Sequence, residues 1–421
     1  MYKAPRGTTD ILPAEQPYWR YVEGQAEAVC QLYGYQRIET PMFEDSRLFV
    51  RSIGQETDIV GKEMYTFEDR SGDSMTLRPE GTASVCRSYL ERGMQSLPMP
   101  VKLYYFASVF RYERPQAGRF RQHHQFGFEA IGEADPALDA EVIDMAWQLY
   151  LSLGFKNLSL VMNSIGCKKC RPVYLRHLKE YYYKHVDRLC PDCKRRLEQN
   201  PLRLLDCKQP ACHELAEGAP KSSDYLCAEC AEHFQRLKKH LSTLGIPYQL
   251  DHRLVRGLDY YTRTVFEVQP EIEGAQSTMG GGGRYDNLIE ELGGAPTPAV
   301  GFATGMERIV LNLKRQNIAV PPIPGPLVFV AYLGEQAKEE ALKLSTELRR
   351  AGVGVLLSLG ERSLRAQLRH ANTVSARYTL ILGQEEVESA QVQVRDMGQG
   401  TQERVPSAGI IAELARRLKQ S

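Results

Sequence analysis

Apolar residues in the stretch Glu15–Leu32 fall at Trp19, Val22, Ala26, Val29 and Leu32. These steps of three and four predict an amphipathic helix with one buried face. Tyr35–Thr40 alternates instead and stops at Pro41, which predicts a strand ending there because proline has no N–H for a ladder. Two further β-rich stretches, Leu103–Arg111 and Gln122–Ile131, flank the polar segment Glu113–Arg121 and predict antiparallel strands joined by a basic loop. Strand-like pattern returns over Leu254–Glu267 and Val300–Thr304, and Gly305–Lys314 predicts a helix with Met306, Ile309, Val310 and Leu313 inward. Strands grouped this way predict an antiparallel α+β domain.

The pattern changes twice. Pro321-Pro322-Ile323-Pro324-Gly325-Pro326 lacks most of the donors that regular structure needs and predicts a linker. Beyond it, strands at Leu327–Tyr332, Val353–Leu357, Tyr378–Leu382 and Val392–Arg395 alternate with helices at Glu335–Arg350, Ser363–Ala371 and Ala408–Leu418. That order predicts a small, mainly parallel α/β domain over 326–421. The second change spans 166–244, where sixteen Lys or Arg face ten Asp or Glu and eight of the ten cysteines gather. A basic, cysteine-rich module therefore interrupts a domain made of 1–165 and 245–320.

A chain of 421 residues exceeds one ordinary core and predicts two or three domains. Its 53 basic and 52 acidic residues give a net charge of +1, so a nucleic-acid surface would have to be local. Met1–Pro13 is polar, and no apolar run of about 18 residues occurs. The expectation is a cytoplasmic protein with no membrane partner, in which paired cysteines are thiols or metal ligands before they are disulfides.

Candidate chemistry centres on Phe110-Arg111-Tyr112-Glu113-Arg114-Pro115, then Gly118-Arg119-Phe120-Arg121, then Gln125, Gly127 and Glu129 on the return strand. Arginine's planar fork holds phosphate or carboxylate bidentately, and a strand keeps it in place. The two-residue period puts Gln125, Gly127 and Glu129 on one face, with the glycine leaving room for a ligand. Arginine and carboxylate on adjacent strands suit a zwitterion. A glycine-flanked turn entering a helix with Arg308 in its first turn offers a cation beside backbone N–H groups.

These residues resemble the second signature motif of the class II aminoacyl-tRNA synthetases. Tyr35–Pro41 with Glu44 resembles the first motif, and Gly301-Phe302-Ala303-Thr304-Gly305-Met306-Glu307-Arg308 the third. Leu254-Val255-Arg256-Gly257-Leu258-Asp259-Tyr260-Tyr261-Thr262-Arg263-Thr264 and Gly280-Gly281-Gly282-Gly283-Arg284-Tyr285-Asp286 resemble segments of the histidyl-tRNA synthetase family in particular, as do Pro5–Asp10 and Leu77–Thr82. The resemblance covers almost the whole chain. It implies the class II antiparallel sheet flanked by helices, a C-terminal anticodon-binding domain, and a homodimer. It also implies histidine activation by ATP with Mg2+, followed by transfer to the 3′ end of tRNA(His). Arg111, Arg256 and Arg308 are then the catalytic cations. Glu80, Gly81, Thr82, Arg111, Gln125, Glu129, Arg256, Tyr260 and Tyr261 bind L-histidine, with Glu129 and Tyr260 reading the imidazole. Arg111, Glu113, Arg119, Arg121 and Arg308 bind ATP. The alternative is the family's non-catalytic paralogue, which regulates ATP phosphoribosyltransferase in histidine biosynthesis and loses parts of the catalytic set.

Within the insertion, Cys167-x-x-Cys170, Cys190-x-x-Cys193 and Cys227-x-x-Cys230 have the spacing with which two thiolates meet one tetrahedral zinc, and Cys207 and Cys212 form a looser pair. Two four-cysteine structural zinc sites and a set of buried free thiols both remain open readings.

Overall fold

The computed structural model describes residues 2–54, 57, 59–113, 120–270, 278–323 and 325–419. Two compact units divide the chain, Met1–Pro321 and Pro322–Ser421.

The first unit is built on an eight-stranded sheet. Its strands run, edge to edge, Gln36–Arg37, Val101–Phe110, Gln122–Ile131, Ala299–Gly305, Gly280–Arg284, Thr262–Pro270, Leu158–Ser164 and Tyr248–Leu250. All inner neighbours are antiparallel; only the two short edge strands pair in parallel. One face is covered by helices Gln16–Leu32, Pro136–Ser152, Ala228–Thr243 and Met306–Arg315 around Phe126, Phe128, Phe266 and Phe302. The other face carries Leu103, Tyr105, Val265 and Tyr285, packed with helix Thr82–Glu91 and with Tyr174, Leu178 and Leu204 of the segment 166–244. The cysteine-rich segment thus shares a core with one side of the sheet. Among the described residues no helix is long and apolar enough to cross a membrane.

Three sequence expectations need correction here. Leu32 is exposed and Cys30 buried in its stead, because at 100° per residue position 32 lies about 100° off the Trp19–Val22–Ala26–Val29 stripe. The strand expected over Tyr35–Thr40 shrinks to Gln36–Arg37. The carbonyls of Thr40 and Pro41 turn away from the sheet and accept Arg78 Nη1 at 2.7 and 3.2 Å. Of Leu254–Glu267 only the part from Thr262 onward is strand. The part before it is a loop whose start is fixed by Asn163 Nδ2, which donates to the His252 and Leu254 carbonyls at 3.2 and 3.0 Å.

The second unit holds a five-stranded sheet in the order Val355–Leu357, Val328–Tyr332, Tyr378–Leu382, Gln391–Asp396, Gln402–Pro406. The first three strands are parallel and the last two antiparallel. The short helix Gln384–Glu388 and the last strand have no counterpart in the sequence reading, since Gln402–Pro406 is polar and largely exposed and carries no period to detect.

Candidate active site

Glu80 opens helix Thr82–Glu91. Its two carboxylate oxygens accept the backbone N–H groups of Thr82 and Ala83 at 2.7 and 2.8 Å, satisfying donors that a helix start leaves unpaired. Beside it, Gly81 N–H donates to Gln125 Oε1 at 3.1 Å. Burial raises the Glu80 carboxyl above its ordinary range, against the pull of those two N–H groups.

Glu129 lies 1 % exposed on the sheet face beneath that helix. Thr82 Oγ1 donates to its Oε1 at 2.7 Å, Tyr105 Oη to the same atom at 3.2 Å, and Tyr285 Oη to Oε2 at 2.6 Å. Burial pushes its carboxyl up to about 8, with hydrogen bonds from Tyr285 and Thr82 opposing and the Glu80 charge assisting. Tyr260 Oη reaches Glu80 Oε2 at 3.4 Å, and its ring sits 4.8 Å from that of Tyr261 and 5.7 Å from that of Tyr285. Carboxylates and phenols thus converge in a buried cluster, the environment in which a substrate N–H is read most strictly.

Cations lie close by. Arg256 donates Nη1 to Glu267 Oε1 at 2.6 Å and lies 5.9 Å from the Tyr261 ring. Glu267 also accepts Thr278 Oγ1 at 2.6 Å, and the Thr278 carbonyl accepts Arg308 Nη1 at 3.0 Å. Arg256 and Arg308 are therefore joined through two residues. Arg111 donates Nε to the carbonyl of Pro79, next to Glu80, at 2.8 Å. The His123 imidazole is lowered to about 3, first by burial and then by the charges of Arg111 and Arg308. A value that low favours the neutral imidazole near neutral pH. The Glu113 carbonyl accepts Arg121 Nε at 3.4 Å, and the Arg121 guanidinium stacks 3.8 Å over Tyr112. Arg119, with 114–119 as a whole, lies outside the described residues.

One expectation about a glycine is overturned. The space at Gly127 is taken by Tyr105, whose hydroxyl a Cβ there would overlap, and Gly81 is crowded by the same ring. The run Gly280–Gly283 is a central strand. A Cβ on Gly280 would strike Phe302 and Tyr150, and one on Gly281 would come 2.7 Å from Arg256 Nη1. These glycines admit side chains, which in turn form the pocket.

Tyr105, Tyr285, Glu267 and Thr278 escaped the sequence reading. Tyr285 stands inside the segment resembling the family, and that was a usable signal. Tyr105 sits among strand residues with nothing to separate it from packing aromatics.

In the insertion, the eight cysteines divide into Cys167, Cys170, Cys227, Cys230 and Cys190, Cys193, Cys207, Cys212, with all sulfurs of each group within 4.8 Å of one another. Neighbouring sulfurs stand 3.8 Å apart for Cys167–Cys170, Cys167–Cys227 and Cys170–Cys230, and 4.0 Å for Cys190–Cys207. Four thiolates at ~2.3 Å from one ion would be ~3.8 Å apart, against ~2 Å for a disulfide. Each group could hold a metal ion.

Comparison with known proteins identifies the family. Residues 7–309 match the family model for histidyl-tRNA synthetase and 327–417 that for an anticodon binding domain. A histidine–tRNA ligase of Dehalococcoides mccartyi is 59 % identical, covering 99 % of this chain and 100 % of its own. The crystal structure of apo S. aureus histidyl-tRNA synthetase superposes with a TM-score of 0.82 at 38 % identity, covering 98 % of this chain and 99 % of that one. The structure of an ATP phosphoribosyltransferase regulatory subunit/histidyl-tRNA synthetase from Bacillus halodurans C shares the fold, with a TM-score of 0.65 at 23 % identity over 91 % of this chain and 98 % of that one. The antiparallel sheet flanked by helices is that of a class II aminoacyl-tRNA synthetase. Within that class, the chain belongs to the histidyl-tRNA synthetase family.

Proposed function

We propose that this protein is a histidine–tRNA ligase: it activates L-histidine with ATP, giving histidyl-adenylate and pyrophosphate, then esterifies the 3′ end of tRNA(His). What supports the site assignment is a buried acidic group of Glu129, Glu80 and Tyr260 with cations close by: Arg111 bonded to Pro79 beside Glu80, Arg256 beside Tyr261, and Arg308 joined to Arg256 through Glu267 and Thr278. Such a pairing suits a substrate that carries both nitrogens and a carboxylate. Glu129 and Tyr260 read the imidazole; Thr82 and Gln125 stand by the amino group.

The attacking carboxylate is already an anion, so the α-phosphorus is attacked without a general base, and the protein contributes positioning and charge neutralisation. Arg256 and Arg111 stabilise charge developing at the α-phosphate, and Arg308 takes the γ-phosphate. Glu113, Arg119 and Arg121 complete the ATP site, with Mg2+ held largely through phosphate oxygens. Structural zinc is the ion that the thiol clusters fit, since closed four-thiolate sites leave no open coordination position. The protein works as a cytoplasmic homodimer, and the unit from Leu327 onward binds the anticodon arm. Full-length relatedness to ligases, together with retention of Arg111, Arg256 and Arg308, favours this reading over the regulatory paralogue.

Arg256→His tests the assignment. Histidine-dependent pyrophosphate exchange should fall at least about a hundredfold while ATP binding, read by calorimetry, changes little. An unchanged exchange rate would remove Arg256 from the chemistry.

A further inference from the structure

Residues 256–261, which carry Arg256, Tyr260 and Tyr261, lie in no strand. A segment bearing an essential cation outside the sheet ladder needs other anchors, and the insertion supplies two of them. Arg171, directly after Cys170, donates Nη2 to the Tyr261 carbonyl. Asn200, at the head of the 3-10 turn Pro201–Leu204, donates Nδ2 to Asp259 Oδ1 at 2.7 Å. From the same turn, Arg203 packs on Gly257 so closely that a Cβ there would lie 3.3 Å from its Nη1. Asn200, Leu202, Arg256, Asp259 and Tyr261 together bound a cavity of about 240 Å3.

Each anchor is tied to a thiol cluster. Arg171 begins helix Arg171–Tyr183 immediately beyond Cys170, whose Sγ accepts Cys167 N–H at 3.2 Å. The Asn200–Arg203 turn lies between Cys193 and Cys207 of the other cluster, and Cys207 N–H donates back to Leu204 at 3.4 Å. One turn of 3-10 helix has little stability of its own, whereas an ion joining Cys190, Cys193, Cys207 and Cys212 would close both sides of it. Two four-thiolate zinc sites carry about −2 each, and the surplus of six basic residues over 166–244 offsets that charge.

We infer that the two metal clusters of the insertion form a clamp on residues 256–261, positioning Arg256 for adenylate formation through Arg171 at Tyr261 and Asn200 at Asp259, with Arg203 packed on Gly257. The clamp rests on the ligase reading and on the zinc reading of the clusters. Asn200 and Cys207 are positioning residues: neither touches substrate.

The test uses the full-length protein, with zinc counted by plasma mass spectrometry and adenylate formation followed by pyrophosphate exchange. Wild type should hold two zinc ions per chain. Cys207→Ser should hold one and lose about tenfold or more in kcat, with KM for ATP and histidine within about twofold, as misplacement of a catalytic group predicts. Asn200→Ala should keep both ions and still lose kcat by about threefold or more, which separates positioning from metal loss. Should Cys207→Ser not fold, Asn200→Ala alone decides. Undiminished kcat in Asn200→Ala overturns the clamp. Fewer than one zinc per wild-type chain overturns the zinc reading, and the clamp with it. Absence of histidine-dependent exchange in wild type overturns the ligase reading instead.

Discussion

Glu129 is the residue on which the buried acidic group turns. Three hydroxyl donors converge on it, yet burial keeps its carboxyl up at about 8. A carboxyl whose native value is raised binds its proton more tightly folded than unfolded. Its contribution to stability is therefore complete below the unfolded value of about 4.5 and lost as pH rises through about 8. Glu129→Gln should remove that dependence: urea denaturation from about pH 5 to 8.5 should show wild type losing stability relative to the variant, by at most about 1.4 kcal/mol per pH unit. Parallel curves would mean that Glu129 ionises normally. The same variant should lose at least about a hundredfold in kcat/KM for histidine, and full activation of histidine would argue against a role in reading the imidazole. The sequence pointed to Glu129 through its period with Gln125. It said nothing of Tyr105, because contact with Glu129 depends on pairing Tyr105 with Gly127 across two strands.

At the scale of elements, the strand Ala299–Gly305 shows how backbone makes room for chemistry. Gly301 is paired with Glu129, and a Cβ on it would overlap Glu129 Oε2. Gly301→Ala should therefore displace the carboxylate and cut histidine activation at least about a hundredfold, with the protein still folded by circular dichroism; near-normal activation would mean that the carboxylate can shift without consequence. Gly301 and Gly280–Gly283 stood out in the sequence by resemblance, but what fills their space is decided by neighbours distant in the chain. Helices and the central hairpin were legible because their periods are long and regular. The loop 254–261 was not, since its Leu254–Val255 start has the apolar look of a strand while Asn163 holds the His252 and Leu254 carbonyls. In Tyr35–Pro41 the competing partner was Arg78, buried 38 residues beyond Thr40.

Across the whole molecule, the proposed chemistry and the segment that matches the anticodon binding domain model fall in separate units, Met1–Pro321 and Pro322–Ser421. The division follows from the run Pro321–Pro326, which cannot continue either sheet. Removing residues from Leu327 onward should spare histidine-dependent pyrophosphate exchange within about threefold, while tRNA charging falls at least about a hundredfold as the salt-dependent contacts of the second unit are lost. Equal loss of both activities would show that the first unit needs the second to function.

The most direct measurement is ATP–pyrophosphate exchange by the full-length protein against each of the twenty amino acids, repeated with tRNA to follow charging. The pocket predicts exchange with histidine alone, and charging of tRNA(His). Exchange with another amino acid, or none from a folded protein, would contradict it.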